Sequence, residues 1–301
     1  MMTRQFRPPW RGLASLALLG ALAGCGGADP AEPTPPTLST SHAPSWEDFL
    51  ARSTKHVDGR DIYVVEWDRP LASLEALRAY YDQQVAGTDT GSTGQSLMVN
   101  QVNGVDDLWR DPTVTHLSYC VSTAFGSRQA RVRQEMHAAA SSWARLANVA
   151  FIDDPTQDGS CTGSNFNVMF AVVPWNSDGA CSFFPNGDAC VARTLVINYD
   201  DFDTNPNWQT IAPNMTTEGV LRHELGHILG FRHEHTNPAS GTCFENSNWR
   251  SLTPYDPSSV MHYQWCNGVL SSDMTLTNLD ERGSVSLYGL AVPAMSSALL
   301  L

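Results

Sequence analysis

Thirteen consecutive residues constrain this chain more than any other stretch: His223-Glu224-Leu225-Gly226-His227-Ile228-Leu229-Gly230-Phe231-Arg232-His233-Glu234-His235. On a helix, residues four apart share a face and lie one turn apart, so His223 and His227 aim their imidazoles the same way. Gly230 can adopt the left-handed backbone that ends a helix. A turn there brings His233 round to the same point. Three neutral imidazoles converging on one point form a zinc site of the catalytic type, with a fourth position left for water. Glu224 directly follows the first ligand and can lean over that water as a general base. Leu225, Ile228, Leu229 and Phe231 supply apolar surface, so the same segment reads as core and as site. A buried amphipathic helix with incidental histidines is the competing explanation. The number of positions the longer pattern fixes weighs against it.

Met261 stands 28 residues after His233, within Ser258-Ser259-Val260-Met261-His262-Tyr263. The zinc motif followed by this stretch resembles the metzincins, metalloendopeptidases in which a methionine-containing turn lies under the zinc. Gly230-Phe231 and His233-Glu234-His235-Thr236 are similar to the astacin form of the motif, and Tyr263 sits where astacins carry a tyrosine beside the metal. After His235 the likeness stops. Astacins continue with a serine or threonine, an arginine and an acidic run, whereas this chain reads Thr236-Asn237-Pro238-Ala239. Over residues 216–263 the chain is thus similar to an astacin-like bacterial metzincin, of the HEIGH-type or matrixin-like groups.

The resemblance implies an α+β, zincin-like catalytic domain. It would have a twisted mixed sheet, a long backing helix and a zinc helix, preceded by a small prosegment. It implies one zinc ion on His223, His227 and His233, with Glu224 as the catalytic base. It also gives Tyr263 a catalytic role in stabilising an oxyanion; a ring packed beside the methionine turn is the plainer reading of Tyr263. Met261 is expected beneath the site, with His235 and His262 structural. Glu234 corresponds to the residue that contacts the new N-terminus after activation in astacins. The implied reaction is hydrolysis of protein or peptide substrates.

Residues 1–24 read as an export signal. Arg4, Arg7 and Arg11 flank an apolar run, Leu13–Ala23, that is too short for a stable bilayer span. It ends Leu22-Ala23-Gly24 before Cys25, which is similar to a lipobox. Lipidated Cys25 would anchor the chain to a bacterial membrane surface; an ordinary secretory signal is the other reading. Residues 25–45 are a tether rich in Pro, Ser and Thr. Residues 46–110 turn globular. Asp61–Trp67 reads as a strand, Leu71–Gln84 as a helix on the spacing of Leu74, Leu77 and Tyr81, Gly87–Gly94 as a polar loop, and Met98–Val105 as a further strand.

An exported protease has to be kept inactive during export, so 46–110 is expected to be a prosegment. A small accessory domain that stays attached is the alternative. This segment has no cysteine, so a cysteine latch like that of matrixins is not expected. Astacin prosegments place an aspartate on the zinc, and Asp68, after Val64-Val65-Glu66-Trp67, is the candidate.

The catalytic domain is expected over 111–290. It would comprise strands at 116–122, 149–152, 167–173 and 194–198, and a helix over 127–147 capped by Ser127. Val132, Met136, Ala139, Trp143 and Leu146 line one face of that helix. The zinc helix starts near Thr216 and a final helix covers 279–288. The tail, 291–301, is too short to span a membrane.

Six cysteines follow Cys25: Cys120, Cys161, Cys181, Cys190, Cys243 and Cys266. An even number in an exported chain suggests three disulfides, with about 15 possible pairings. Nearness in sequence favours Cys181–Cys190 and Cys243–Cys266, leaving Cys120–Cys161. A formal charge of −13 argues against nucleic acid as a partner. Asp200-Asp201-Phe202-Asp203 reads as a solvated acidic loop or a calcium site, without EF-hand spacing. The expected protein is thus a monomeric, exported zinc endopeptidase. The competing readings are a surface-displayed zinc-containing binding module and a zinc hydrolase of cell-wall peptides.

Overall fold

The computed structural model describes residues 45–57, 59–65, 68–71, 73–82, 96–203, 215–243, 245–269 and 273–291. The expected export signal, Cys25, the tether up to residue 44, the polar loop Gly87–Gly94 and the tail beyond residue 291 lie outside the described residues.

Residues 45–82 build a small α and β unit. Helix α1 (Trp46–Ser53) starts where the Ser45 side chain accepts from the Asp48 amide, a cap that satisfies one otherwise unpaired donor. Strands β1 (Thr54–Val57), β2 (Arg60–Val65) and β3 (Arg69–Leu71) form an antiparallel sheet in that order. Helix α2 (Leu74–Tyr80) follows, capped by Ser73. Alternation along β2 sends Val65 and Val64 to opposite faces. Val65 joins Leu77 and Tyr80 in a small core of three buried residues among those described, with Trp46, Phe49, Leu50, Tyr63 and Leu71 packed partly around it. Val64 instead packs on Trp175, Cys181, Cys190 and Val196, far along the chain.

The expected strand over 98–105 is a hairpin: β4 (Ser96–Val102) turns into β5 (Val105–Asp106). Asn103 and Gly104 both have positive φ, 53° and 77°, as a two-residue hairpin turn requires. The Asn-Gly pair is the sequence cue for it. β4 also pairs with β11 (Phe231–Arg232) on one side and β12 (Trp249–Thr253) on the other. Leu97, Met98 and Val99 are fully buried. The boundary expected at residue 110 therefore cuts through a sheet. β4 shares its sheet with residues 231–253.

The central sheet has the order β7-β6-β8-β10-β9, from β6 (Leu117–Val121), β7 (Phe151–Asp153), β8 (Phe170–Pro174), β9 (Ala180–Cys181) and β10 (Thr194–Ile197). Its pairings are parallel except for β9, which runs antiparallel along one edge. Helix α3 (Gln129–Ala144) backs the sheet, burying Val132, Met136, Ala139 and Trp143 as the periodicity requires. Leu146 falls beyond the helix end and is largely exposed. Ser127 does not cap α3; it lies inside a 3₁₀ turn, Thr123–Arg128, that Ser122 caps. After a short helix α4 (Tyr199–Asp203) comes the zinc helix, α5 (Thr217–Ile228), and the final helix is α6 (Asn278–Tyr288). All three expected disulfides are present: Cys120–Cys161, Cys181–Cys190 and Cys243–Cys266. Asp201 of the acidic run is buried and accepts from the Gly179 amide at 2.6 Å, while Asp200 pairs with Arg128.

Candidate metal centre and active site

Helix α5 begins where Thr216 Oγ1 accepts from the Gly219 amide at 3.1 Å. It packs so closely on α3 that the Trp143 indole donates to the Arg222 carbonyl at 2.9 Å. Gly226 is the contact that permits the methionine turn beneath: a Cβ there would lie 2.4 Å from the Met261 sulfur. Met261 is fully buried in the core and packs under the helix. Gly230 has φ +89°, and a Cβ would meet the Asp107 carbonyl at 2.3 Å, so both conformation and space demand glycine. The Gly230 carbonyl then accepts from the Asn100 amide, and β11 pairs Phe231 with Val99 and Arg232 with Met98. Pairing with β4 thus aims His233 back at the helix.

The three imidazoles converge. His227 Nε2 and His233 Nε2 are 3.1 Å apart, and all three histidines are buried. Each Nδ1 has a partner on the far side: His223 the Val260 carbonyl at 2.7 Å, His227 the Phe231 carbonyl at 2.8 Å, His233 the Glu245 carboxylate at 2.6 Å. A carbonyl only accepts, so Nδ1 carries the hydrogen in His223 and His227 and the Nε2 lone pairs face inward. Burial, acting first, and the neighbouring imidazoles lower the His227 pKa to about 4 despite Asp68, so the ring is neutral near neutral pH. Three inward lone pairs at such separations fit one divalent cation. Nitrogens roughly 2.0–2.1 Å from a tetrahedral zinc lie about 3.3 Å from one another.

Asp68 occupies the middle of this cluster. Its carboxylate lies 3.1 Å from His223 Nε2, 3.0 Å from His233 Nε2 and 3.8 Å from His227 Nε2. Burial opposes its charge, but the imidazoles, His233 foremost, outweigh burial and hold it well below the usual carboxylate range. The four side chains together form a group that could hold a metal ion. Asp68 precedes β3, whose first residue Arg69 pairs with Val65, so the small unit delivers this carboxylate.

Glu224 is buried, and its Oε2 has no hydrogen-bond partner among the described residues. Burial, followed by the charge of Asp68, pushes its carboxyl well above the ordinary value, with Ser182 acting the other way. Glu224, His223, Asp68 and Tyr263 line a small cavity. The rest of its wall is apolar or backbone: Phe202, Met215, Val220, Trp265 and Met274, with Gly179 and Ala180 of the β9 edge. The Tyr263 ring lies 4.4 Å from that of His233 and 5.6 Å from that of His223, and it stacks on Trp265 at 4.6 Å.

The remaining singled-out residues have structural surroundings. His235 is fully buried, its ring 4.8 Å from His233, and its Nε2 is 3.7 Å from Glu245. His262 Nε2 meets the Tyr255 hydroxyl at 2.8 Å. Glu234 accepts from the Asp256 amide, and its own amide donates to the Met261 carbonyl. Asp280 accepts from Ser259 Oγ and the Val260 amide, so α6 holds the turn whose Val260 carbonyl orients His223. Burial raises the Asp280 carboxyl to about 6. Sequence reasoning missed Glu245, Arg69 and Arg232. Glu245 and Arg69 lie outside every motif and Arg232 fills an unspecified position of the zinc motif, so only the fold brings the three together.

Residues 108–241 match the matrixin family of peptidases. High choriolytic enzyme 1 of Oryzias latipes is 41% identical over 61 residues, 15% of this chain and 23% of that protein. An astacin-like metalloendopeptidase of Coturnix japonica is 44% identical over 64 residues, 15% of this chain and 15% of that protein. The solved structure of myroilysin superposes with a TM-score of 0.41 at 16% identity, covering 64% of this chain and 98% of that one. The chain spans less than a quarter of the length of these sequence relatives.

Proposed function

We propose that this chain is an astacin-like metzincin, an exported zinc-dependent endopeptidase held latent by residues 45–82. The observation that supports this most is the convergence of three inward Nε2 lone pairs with the Asp68 carboxylate among them. His223, His227 and His233 would hold one zinc ion. When bound, zinc acts as a Lewis acid that polarises a scissile carbonyl and acidifies an adjacent water.

The chain's own residues supply the rest. Glu224 takes the proton of the attacking water on its unpaired Oε2 and delivers it to the leaving amine. Tyr263, beside the same cavity, stabilises negative charge on the carbonyl oxygen. The apolar wall of Phe202, Met215, Val220, Trp265 and Met274 receives an apolar substrate side chain. Asp68 stands where water and substrate have to enter, so it blocks the reaction until residues 45–82 leave. A purely structural zinc has no use for Glu224, a buried carboxylate with one oxygen unpaired beside the ligands.

Residues 1–24 direct export, and a lipidated Cys25 attaches the chain to a membrane surface. The three disulfides fit an oxidising compartment. No helix among the described residues is long and apolar enough to cross a membrane.

The test is cleavage of an unfolded protein substrate before and after limited proteolysis, with and without a zinc chelator. Activity should appear on processing and vanish with chelator or with Glu224→Ala. Full activity of Glu224→Ala would end the reading.

A further inference from the structure

Glu245 stands 12 residues after His233 in the sequence, outside every motif. It lies two residues beyond Cys243, which the disulfide to Cys266 fixes. Its carboxylate is fully buried and meets three groups. Oε1 accepts from His233 Nδ1 at 2.6 Å. Oε2 meets the guanidinium of Arg232, the neighbour of His233. The same Oε2 lies 3.1 Å from Arg69 Nη1, and Arg69 is the neighbour of Asp68. Both partners of that last pair are buried, and the Arg69 guanidinium also lies 5.7 Å from the Tyr80 ring, within its own unit.

We infer that Glu245 positions the third histidine, and that Arg69 is a second, metal-independent anchor of residues 45–82, gripping the carboxylate that orients His233. The inference rests on the latent-protease reading and adds to it a residue pair that touches no metal.

The physical case has two parts. His223 and His227 donate through Nδ1 to carbonyl oxygens, whereas His233 faces a carboxylate. A carboxylate behind an imidazole fixes its rotation and tautomer and makes the inward nitrogen a stronger donor to a metal. Second, a buried carboxylate is tolerated only where its charge is matched. In the covered form Arg69 and Arg232 both match Glu245. When residues 45–82 leave, Asp68 and Arg69 depart together, one negative and one positive charge. Glu245 keeps Arg232 and the His233 hydrogen, so the site stays charge-matched with its ligand oriented. Asp68 alone would hold the small unit only through the metal cluster. Arg69 holds it whether or not a metal is bound.

The test uses the full chain with a protease site placed between residues 82 and 96. After cutting, retention of the N-terminal fragment is followed by size exclusion and by dilution, in excess chelator. The parent should retain the fragment without metal. Arg69→Ala should raise its dissociation constant at least about tenfold, the scale expected for breaking a buried ion pair. Arg69→Lys should restore part of the loss. In a double-mutant cycle, Glu245→Gln should add little once Arg69 is gone.

For positioning, zinc affinity is measured by competition with a chelating dye. Glu245→Ala should weaken zinc by about 10- to 100-fold, and Glu245→Gln, which still accepts from Nδ1, should recover much of it. Unchanged fragment retention in Arg69→Ala, or strictly additive losses in the cycle, overturns the anchor. Parental zinc affinity in Glu245→Ala overturns the positioning role. A silent protease whose fragment retention still depends on Arg69 would instead sink the protease reading and leave the anchor standing.

Discussion

The unit at 45–82 and the unit at 96–291 reach order by different routes. The larger has a continuous core running from Leu97 and Leu117 through Trp143 and Leu225 to Met261 and Tyr288. Among the described residues, the smaller has a core of its own made of Val65, Leu77 and Tyr80. Burial at about 25 cal/mol per Å² of apolar surface cannot offset the chain entropy of so small a piece. The small unit is therefore stabilised by what it borrows: Val64 on the outer face of the central sheet, Lys55 over Trp175 at 5.1 Å, and Asp68 and Arg69 at the metal centre. A segment built this way is held by contacts outside itself rather than by a core of its own. That suits a removable cover better than a permanent domain.

The largest expected effects test which unit carries the chemistry. His227→Ala should abolish both zinc binding and hydrolysis, read by metal analysis and substrate cleavage. Glu224→Ala should keep zinc and lose at least about 100-fold in rate. Next comes the cover. Asp68→Ala should make the uncut chain hydrolyse substrate at a rate near that of the processed parent; an uncut Asp68→Ala chain that stays silent while the processed form works would break the assignment of latency.

The comparison of cores is sharpened by Leu77→Ala, expected to cost about 2–5 kcal/mol locally. Amide exchange should rise over 45–82, while the melting of the larger unit stays put. For the processed enzyme, replacing the apolar side chain of a good peptide substrate with aspartate should lower kcat/KM at least about tenfold, since the cavity wall offers that charge no partner.

The smallest effect concerns Asp280. Its folded carboxyl, near 6, is raised from 3.8. The folded state therefore holds the proton more tightly. The stabilisation this gives is complete below 3.8 and is lost as pH rises towards 6. Asp280→Asn should flatten that part of the denaturation profile, and a profile parallel to the parent's would count against it.

Much of the larger unit was legible because its elements obey single periodicities. α3 was readable from Val132, Met136, Ala139 and Trp143, and α5 from the histidine spacing. The misses have local causes. The boundary expected at 110 crosses a sheet, because β4 takes partners from residues more than 130 positions away. The Asn103-Gly104 turn, which signals the hairpin, went unread. Leu146 kept the helical spacing but fell past the end of α3.

The sequence by itself placed His223, His227 and Glu224 at helical spacing and Gly230 where the chain turns, and nearness in sequence favoured the cysteine pairs that the structure contains. Each of these depends on residue type at short spacing, where backbone geometry leaves few outcomes. Only the tertiary structure decided that Asp68 lies among the imidazoles and that Arg69 and Arg232 share Glu245. The contacts of Asp68 and Arg69 join residues more than 150 positions apart, and their geometry comes from sheet registers and buried charge matching that no local pattern encodes.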